Sequence, residues 1–169
     1  CIKLIALRQP AAVDLRFITS VMKINSELER IGDQAINISQ NTALYLKYFK
    51  EQKEQTIDTT YSQLDKFTKM VNIVKEMIHN GLDSFVHKDI ELSKSVLIRD
   101  SEVDRLKREI LEELIKSMID SPEIIKTAIE LILIGRNLER IGDHSTNIAE
   151  DVIFSVVGKD VRHHITEIG

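Results

Sequence analysis

Cysteine, tryptophan, proline and glycine are scarce in this chain, and each shortage excludes a class of structure. A single cysteine, Cys1, cannot form an internal disulfide. One thiol without other soft ligands cannot build a structural zinc site either, so the usage predicts a reducing, cytoplasmic location. With no Trp, 2 Pro, 6 Gly and 5% aromatic residues, the chain lacks the turn residues and aromatics of an all-β sandwich. No apolar run approaches the ~18 residues of a membrane span. The first residues also lack the basic and long apolar regions of a signal peptide. An excess of positive charge is missing too: a net charge of −4 leaves no basic footprint for a nucleic acid backbone.

What is present is a 169-residue chain, 43% apolar and 30% charged, which is the balance of long amphipathic helices. From Pro10, expected in a first helical turn, apolar positions recur in steps of four and three: Phe17, Val21, Ile24, Leu28, Ile31, Ala35, Ile38. This predicts one long helix to about Lys50, with Tyr45 and Phe49 on the same stripe. After the polar stretch Lys50 to Gln55, the period resumes through Leu64, Phe67, Val71, Val74 and Ile78 and predicts a second helix over about 55–87. Asp89 is the expected N-cap of a third helix that faces Leu92, Val96, Val103, Leu106, Ile110 and Leu114 inward. Asp120-Ser121-Pro122 breaks it, and Asp120 or Ser121 is expected to cap a fourth helix. That helix carries Ala128, Leu131, Ile134, Leu138, Ile141, Ile148 and Val152 and ends near Gly158. No strand signal competes, so the fold class is all-α, built of antiparallel helices with short connections.

An internal repeat organises these helices. Leu28-Glu29-Arg30-Ile31-Gly32-Asp33 recurs letter for letter as Leu138-Glu139-Arg140-Ile141-Gly142-Asp143, 110 residues later, and Asn37-Ile38 keeps register with Asn147-Ile148. Six identities in phase, each in the second half of a long helix, predict two related helical bundles in tandem.

With Leu28 and Ile31 inward, Glu29 and Asp33 stand at i and i+4 on the solvent side, as do Glu139 and Asp143. Ordinary solvated charge accounts for one such pair. Two features add to it. Each pair brackets a glycine, Gly32 or Gly142, which costs a helix about 1 kcal/mol and permits close approach by another helix or a ligand. The third helix also carries the pair Asp100 and Asp104, beside Glu102. If it runs antiparallel to the fourth, Asp100, Asp104, Glu139 and Asp143 converge. Four carboxylates repel unless cations neutralise them, and oxygen donors favour Mg²⁺, Mn²⁺, Ca²⁺ or ferric iron. His144 follows Asp143 but points about 100° away from it. His79, His87, His163 and His164 are scattered. There is no phosphate-cradling glycine loop, no nucleophile elbow and no Cys-His pair, so no catalytic residue is assigned.

Ala6-Leu7-Arg8-Gln9-Pro10, Asp14-Leu15-Arg16, Leu28 to Asp33, Leu138 to Asn147 and Asp160-Val161-Arg162-His163 together resemble the PhoU family of phosphate-uptake regulators, over nearly the whole chain. The resemblance implies two tandem three-helix bundles and surface metal clusters held by the duplicated acid motifs. By motif, Glu29 and Asp33 belong to the first cluster, and Asp100, Asp104, Glu139 and Asp143 to the second, with iron, manganese or magnesium as the ion. It further implies a non-enzymatic negative regulator that links the phosphate ABC transporter ATPase to a sensor histidine kinase and its phosphate-starvation response. It would reach the membrane only through these partners.

One departure from the family pattern concerns the first bundle. Asp100 precedes Glu139 by 39 residues, and the same spacing before Glu29 falls at −10, ahead of Cys1. The first bundle is therefore expected to be incomplete: residues 1–52 as its remnant, 53–158 as the second bundle and 159–169 as a tail. Its exposed apolar stripe would promote a homodimer. The competing expectations are a metal-dependent phosphohydrolase, a purely architectural helical scaffold, and a PhoU-like domain cut from a larger protein.

Overall fold

A computed structural model describes residues 1–51 and 57–158, leaving aside the side chains of 57–63. The tail at 159–169, with Asp160 to His164, and most of the polar break before residue 57 lie outside the described residues. Among the described residues five α-helices follow in order: α1 (Ile2–Arg8), α2 (Ala12–Glu51), α3 (Ile57–His87), α4 (Ile90–Asp120) and α5 (Ile125–Val157), with a 3-10 turn at Pro122–Ile124 before the last. The described residues contain no strand.

Local chemistry sets the helix ends. The Asp89 carboxylate accepts from the Leu92 N–H at 2.9 Å, the expected N-cap of α4. Gly158 closes α5 at φ +77, its N–H donating to the Phe154 carbonyl at 2.9 Å. Two expectations are corrected. Pro10 is not in a first turn: Gln9 and Ala12 both take left-handed backbone, at φ 46 and 45, which delays α2 until Ala12. Neither Asp120 nor Ser121 caps α5. Ser121 instead ends α4, Pro122 opens the 3-10 turn, and the helix start at Ile124 has no side-chain cap.

Helices α3, α4 and α5 pack mutually. Their shared core comprises Phe67, Met70, Val74 and Met77 of α3, Val96, Val103, Leu106, Ile110 and Leu114 of α4, and Leu131, Leu138, Ile141 and Ile153 of α5. Met70, Met77 and Val96 are fully buried. Leu64 and Val71, expected inward, are instead partly exposed on the outer flank of α3.

Helix α2 runs antiparallel along α5. Ser20 donates to the Asp151 carbonyl at 3.2 Å, His144 meets Glu27 at 2.7 Å, and Lys126 lies over the Tyr48 ring at 5.8 Å. These contacts fix one register along the whole length. In that register the seam alternates polar and isoleucine layers. Ile24 packs with Ile148, and the register places Ile31 opposite Ile141 and Ile38 opposite Ile134. Between them fall Ser20, Glu27 and Gln34 of α2, all buried, against Asp151, His144 and Asn137 of α5. Since the sequence repeat carries residue 31 onto 141, a local pseudo-dyad passes through the Ile31–Ile141 layer.

The stripe read from the sequence therefore divides. Its Ile24, Ile31 and Ile38 members face α5, whereas Leu28 is 38% exposed and Phe17 43% exposed, and Ala35 and Phe49 also face outward. Phe17 still stacks on Phe85 of α3, with centroids 5.5 Å apart. At Gly32 an added Cβ would meet nothing within 4 Å. Gly32→Ala should accordingly stabilise the chain by about 0.5–1 kcal/mol in urea unfolding. A loss of stability would show that something occupies this space.

Candidate functional site

Gly142 of α5 faces α4 and α3. A Cβ there would lie 3.5 Å from Asp100 Oδ1, 3.6 Å from Val103 Cγ1 and 3.8 Å from Met77 Cε, all ordinary contact distances. The bare backbone thus leaves the Asp100 carboxyl close against α5. The two repeat glycines differ in this respect, since nothing approaches Gly32.

The second-repeat acids act on one another. Burial is the largest cause that raises the Asp100 carboxyl from 3.8 to about 6, followed by the charges of Asp104, Asp143, Glu139 and Glu150. Asp143 is raised for the same reasons, burial first and then Glu139 and Asp104, with His144 and Lys107 opposing. The structure therefore brings Asp100, Asp104, Glu139 and Asp143 into one electrostatic neighbourhood across α4 and α5. Glu29 and Asp33 lie apart on the exposed outer side of α2, and the charges acting on the cluster come from α4 and α5.

Lys107 meets the cluster from α4, its ammonium 2.6 Å from Glu139 Oε1. Among the described residues, no three His, Cys, Asp or Glu side chains are grouped closely enough to hold an ion. Oxygen donors as such suit a hard cation. Closing a coordination shell would require Glu139 to release Lys107 and the side chains to turn inward.

A second polar centre, overlooked by periodicity, joins α2 to α5. Glu27 Oε2 accepts from His144 Nδ1 at 2.7 Å and from Asn147 Nδ2 at 2.9 Å, while Arg30 meets Oε1 at 3.0 Å. A carboxylate can only accept, so His144 carries its proton on Nδ1. Burial would raise the Glu27 carboxyl, but the bonds from Asn147 and His144 and the charges of His144 and Arg30 outweigh it and hold it below 4.5. Alongside, Lys23 pairs with the buried Asp151 at 2.9 Å. His144 is thus committed to Glu27. The signal for this centre was the polar residue every seventh position at Ser20, Glu27 and Gln34, which a search for apolar stripes passes over.

The fold and site define a class: an all-α bundle whose long paired helices carry the same acid-and-glycine motif in register. A PhoU domain profile matches residues 1–42 and 67–152. The chain is 39% identical over 163 residues to the phosphate-specific transport system accessory protein PhoU homolog of Pseudomonas aeruginosa, covering 96% of this chain and 64% of that protein. It is 38% identical over 170 residues to the Aquifex aeolicus homolog of the same description, covering 100% and 72%. The crystal structure of PhoU from Pseudomonas aeruginosa superposes with a TM-score of 0.83 at 36% identity, over 94% of this chain and 72% of that one. The Streptococcus pneumoniae phosphate transport system regulatory protein PhoU superposes with a TM-score of 0.81 at 27% identity. The chain belongs to the PhoU family. It spans 64% and 60% of the lengths of the two Pseudomonas relatives.

The pH dependence of the cluster follows from its charges. Because Asp100 titrates near 6 in the fold against an ordinary 3.8, its protonated form favours folding. That contribution is full below 3.8 and is lost as pH rises through about 6. At ~1.4 kcal/mol per unit it amounts to at most about 3 kcal/mol. Chelator-treated protein should therefore melt at a higher temperature at pH 5 than at pH 7, and Asp100→Asn should raise the pH 7 value and flatten the difference. A lower melting temperature for Asp100→Asn at pH 7 would contradict the assignment.

Proposed function

We propose that this chain is part of a cytoplasmic accessory regulator of phosphate transport, acting by docking on protein partners rather than by catalysis. The observation that carries this reading is the likeness over 96% of the chain to a protein described as a phosphate-specific transport system accessory protein. The partners are the phosphate ABC transporter ATPase and a sensor histidine kinase, and the effect is negative control of uptake and of the phosphate-starvation response, with transcription altered indirectly. The absence of any described helix long and apolar enough to cross a membrane is compatible with a peripheral position.

The division into a first bundle at 1–52 and a second at 53–158 is part of this reading. Asp100, Asp104, Glu139 and Asp143 hold iron, manganese or magnesium at the second, and Glu29 with Asp33 contribute half of a first site. The repulsion at Asp100 supports the ion reading, because a bound cation would relieve it. The cation would supply charge neutralisation and a fixed surface for docking. A homodimer is part of the proposal, supported by the exposed Met22, Leu28 and Ile36 along α2.

Affinity recovery of the full-length protein from native lysate at high phosphate tests the partners. The transporter ATPase and kinase should be recovered together with it, and their absence from repeated recoveries would sink the docking role. For the ions, Glu139→Ala combined with Asp143→Ala should lower the metal measured by mass spectrometry and leave the helical circular dichroism unchanged. Unchanged metal content would remove these residues as ligands.

A further inference from the structure

The pseudo-dyad through Ile31 and Ile141 makes the two ends of the α2–α5 seam comparable residue by residue. One end forms an open cleft of about 370 Å³, whose walls include Lys23, Glu27 and Arg30 of α2 and Glu150 and Asp151 of α5. Its cations are matched from within: Lys23 pairs with Asp151 and Arg30 with Glu27.

The repeat carries each wall residue to a counterpart 110 residues away at the other end. There, every acid has become an amide. Glu27 corresponds to Asn137, Glu150 to Gln40 and Asp151 to Asn41. Arg30 corresponds to Arg140, and Ser26 is replaced by Arg136. Both arginines are exposed, and neither has a hydrogen-bond or ion-pair partner among the described residues. Asp33 lies across the seam from Arg140 in this register but makes no ion pair with it, and Glu130 is buried in the seam further along. The seam layer is also unfinished at this end: where Glu27 is satisfied by His144, the counterpart Gln34 is nine-tenths buried and its carboxamide oxygen has no partner.

An apolar feature adjoins the arginines. Arg136 stands with Lys107 at the rim of a slot of about 180 Å³ between α4 and α5, floored by Ile110, Leu111, Ile132 and Gly135. That volume suits one aliphatic side chain rather than a small-molecule ligand, which takes roughly 300 Å³ or more.

We propose that the Arg136–Arg140 end of the α2–α5 seam, with the neighbouring slot, is a docking surface for an acidic protein segment that carries an aliphatic anchor. Guanidinium groups bind carboxylates in bidentate geometry, and Asn137, Gln40 and Asn41 supply neutral donors beside them, with Asp33, buried Glu130 and the Lys107-paired Glu139 as the nearby acids. At the matched wall positions the opposite cleft sets three acids against its cations and this end sets none, so loss of anion binding on removal of the two arginines is diagnostic. The surface deepens the docking role proposed above, but its charge is tested without any transporter component, so either idea can fail alone.

The probe is a fluorescein-labelled peptide of alternating Glu-Glu-Leu blocks, titrated into the chain at low ionic strength and followed by anisotropy. Binding should weaken at least about tenfold in Arg136→Gln with Arg140→Gln. It should weaken similarly in Gln40→Glu with Asn41→Asp, which restores the acid pattern of the opposite cleft. Lys75→Gln with Lys116→Gln, a pair of equal charge change elsewhere, should leave it within about twofold. No binding by the wild-type chain, or equal weakening in the lysine pair, overturns the proposal. Displacement of the peptide by sulfate at equal charge concentration would also overturn it, in favour of a small-oxyanion site.

Discussion

The layered seam between α2 and α5 is the constraint from which the rest of the arrangement follows. Isoleucine layers alone would let two amphipathic helices slide by a turn, because one isoleucine packs on another in several registers. Polar layers remove that freedom. Glu27 is satisfied only where His144, Asn147 and Arg30 converge, and a slip would leave a carboxylate buried without partners, at a cost of several kcal/mol. The register so fixed places α2 on α5, and α5 in turn is the helix that α3 and α4 share.

The carboxylate cluster depends on this framework through α5. One face of that helix is held by α2, and the opposite side presents Gly142 to Asp100 of α4. The cost is concentrated at Asp100, raised to about 6 by burial and four neighbouring acids. Lys107 of the same helix offsets part of the charge at Glu139 and Asp143. Together with burial, the part of that repulsion left unneutralised is why Asp100 takes up a proton at a higher pH than an ordinary aspartate.

Much of this was legible in the sequence, for identifiable reasons. The four long helices follow from unbroken 3.6-residue periodicity, and the Asp89 cap from its side chain. The convergence of Asp100, Asp104, Glu139 and Asp143 follows from an antiparallel pair and matched spacing. The orientation of α2 was not legible, because a seven-residue apolar repeat reads equally well from either flank. Leu28 and Ile24 look alike in sequence, and only the covering helix separates them. Glu27, Gln34 and Asp151 read as surface residues because each is polar, although all three are buried. Nor does single-helix periodicity reveal cross-helix register, so the Lys107–Glu139 pair was out of reach. Pro10 and Ser121 misled because a helix start also needs compatible backbone before it, and left-handed Gln9 and the Pro122 turn deny that.

The most direct test of the seam is a double-mutant cycle on Glu27→Gln and His144→Gln, each variant measured by urea unfolding at pH 7. If this buried pair fixes α2 on α5, the two losses will fall short of additivity by about 1–3 kcal/mol, because either change alone already breaks the contact. Strictly additive losses would contradict the account, leaving the isoleucine layers alone to set the register.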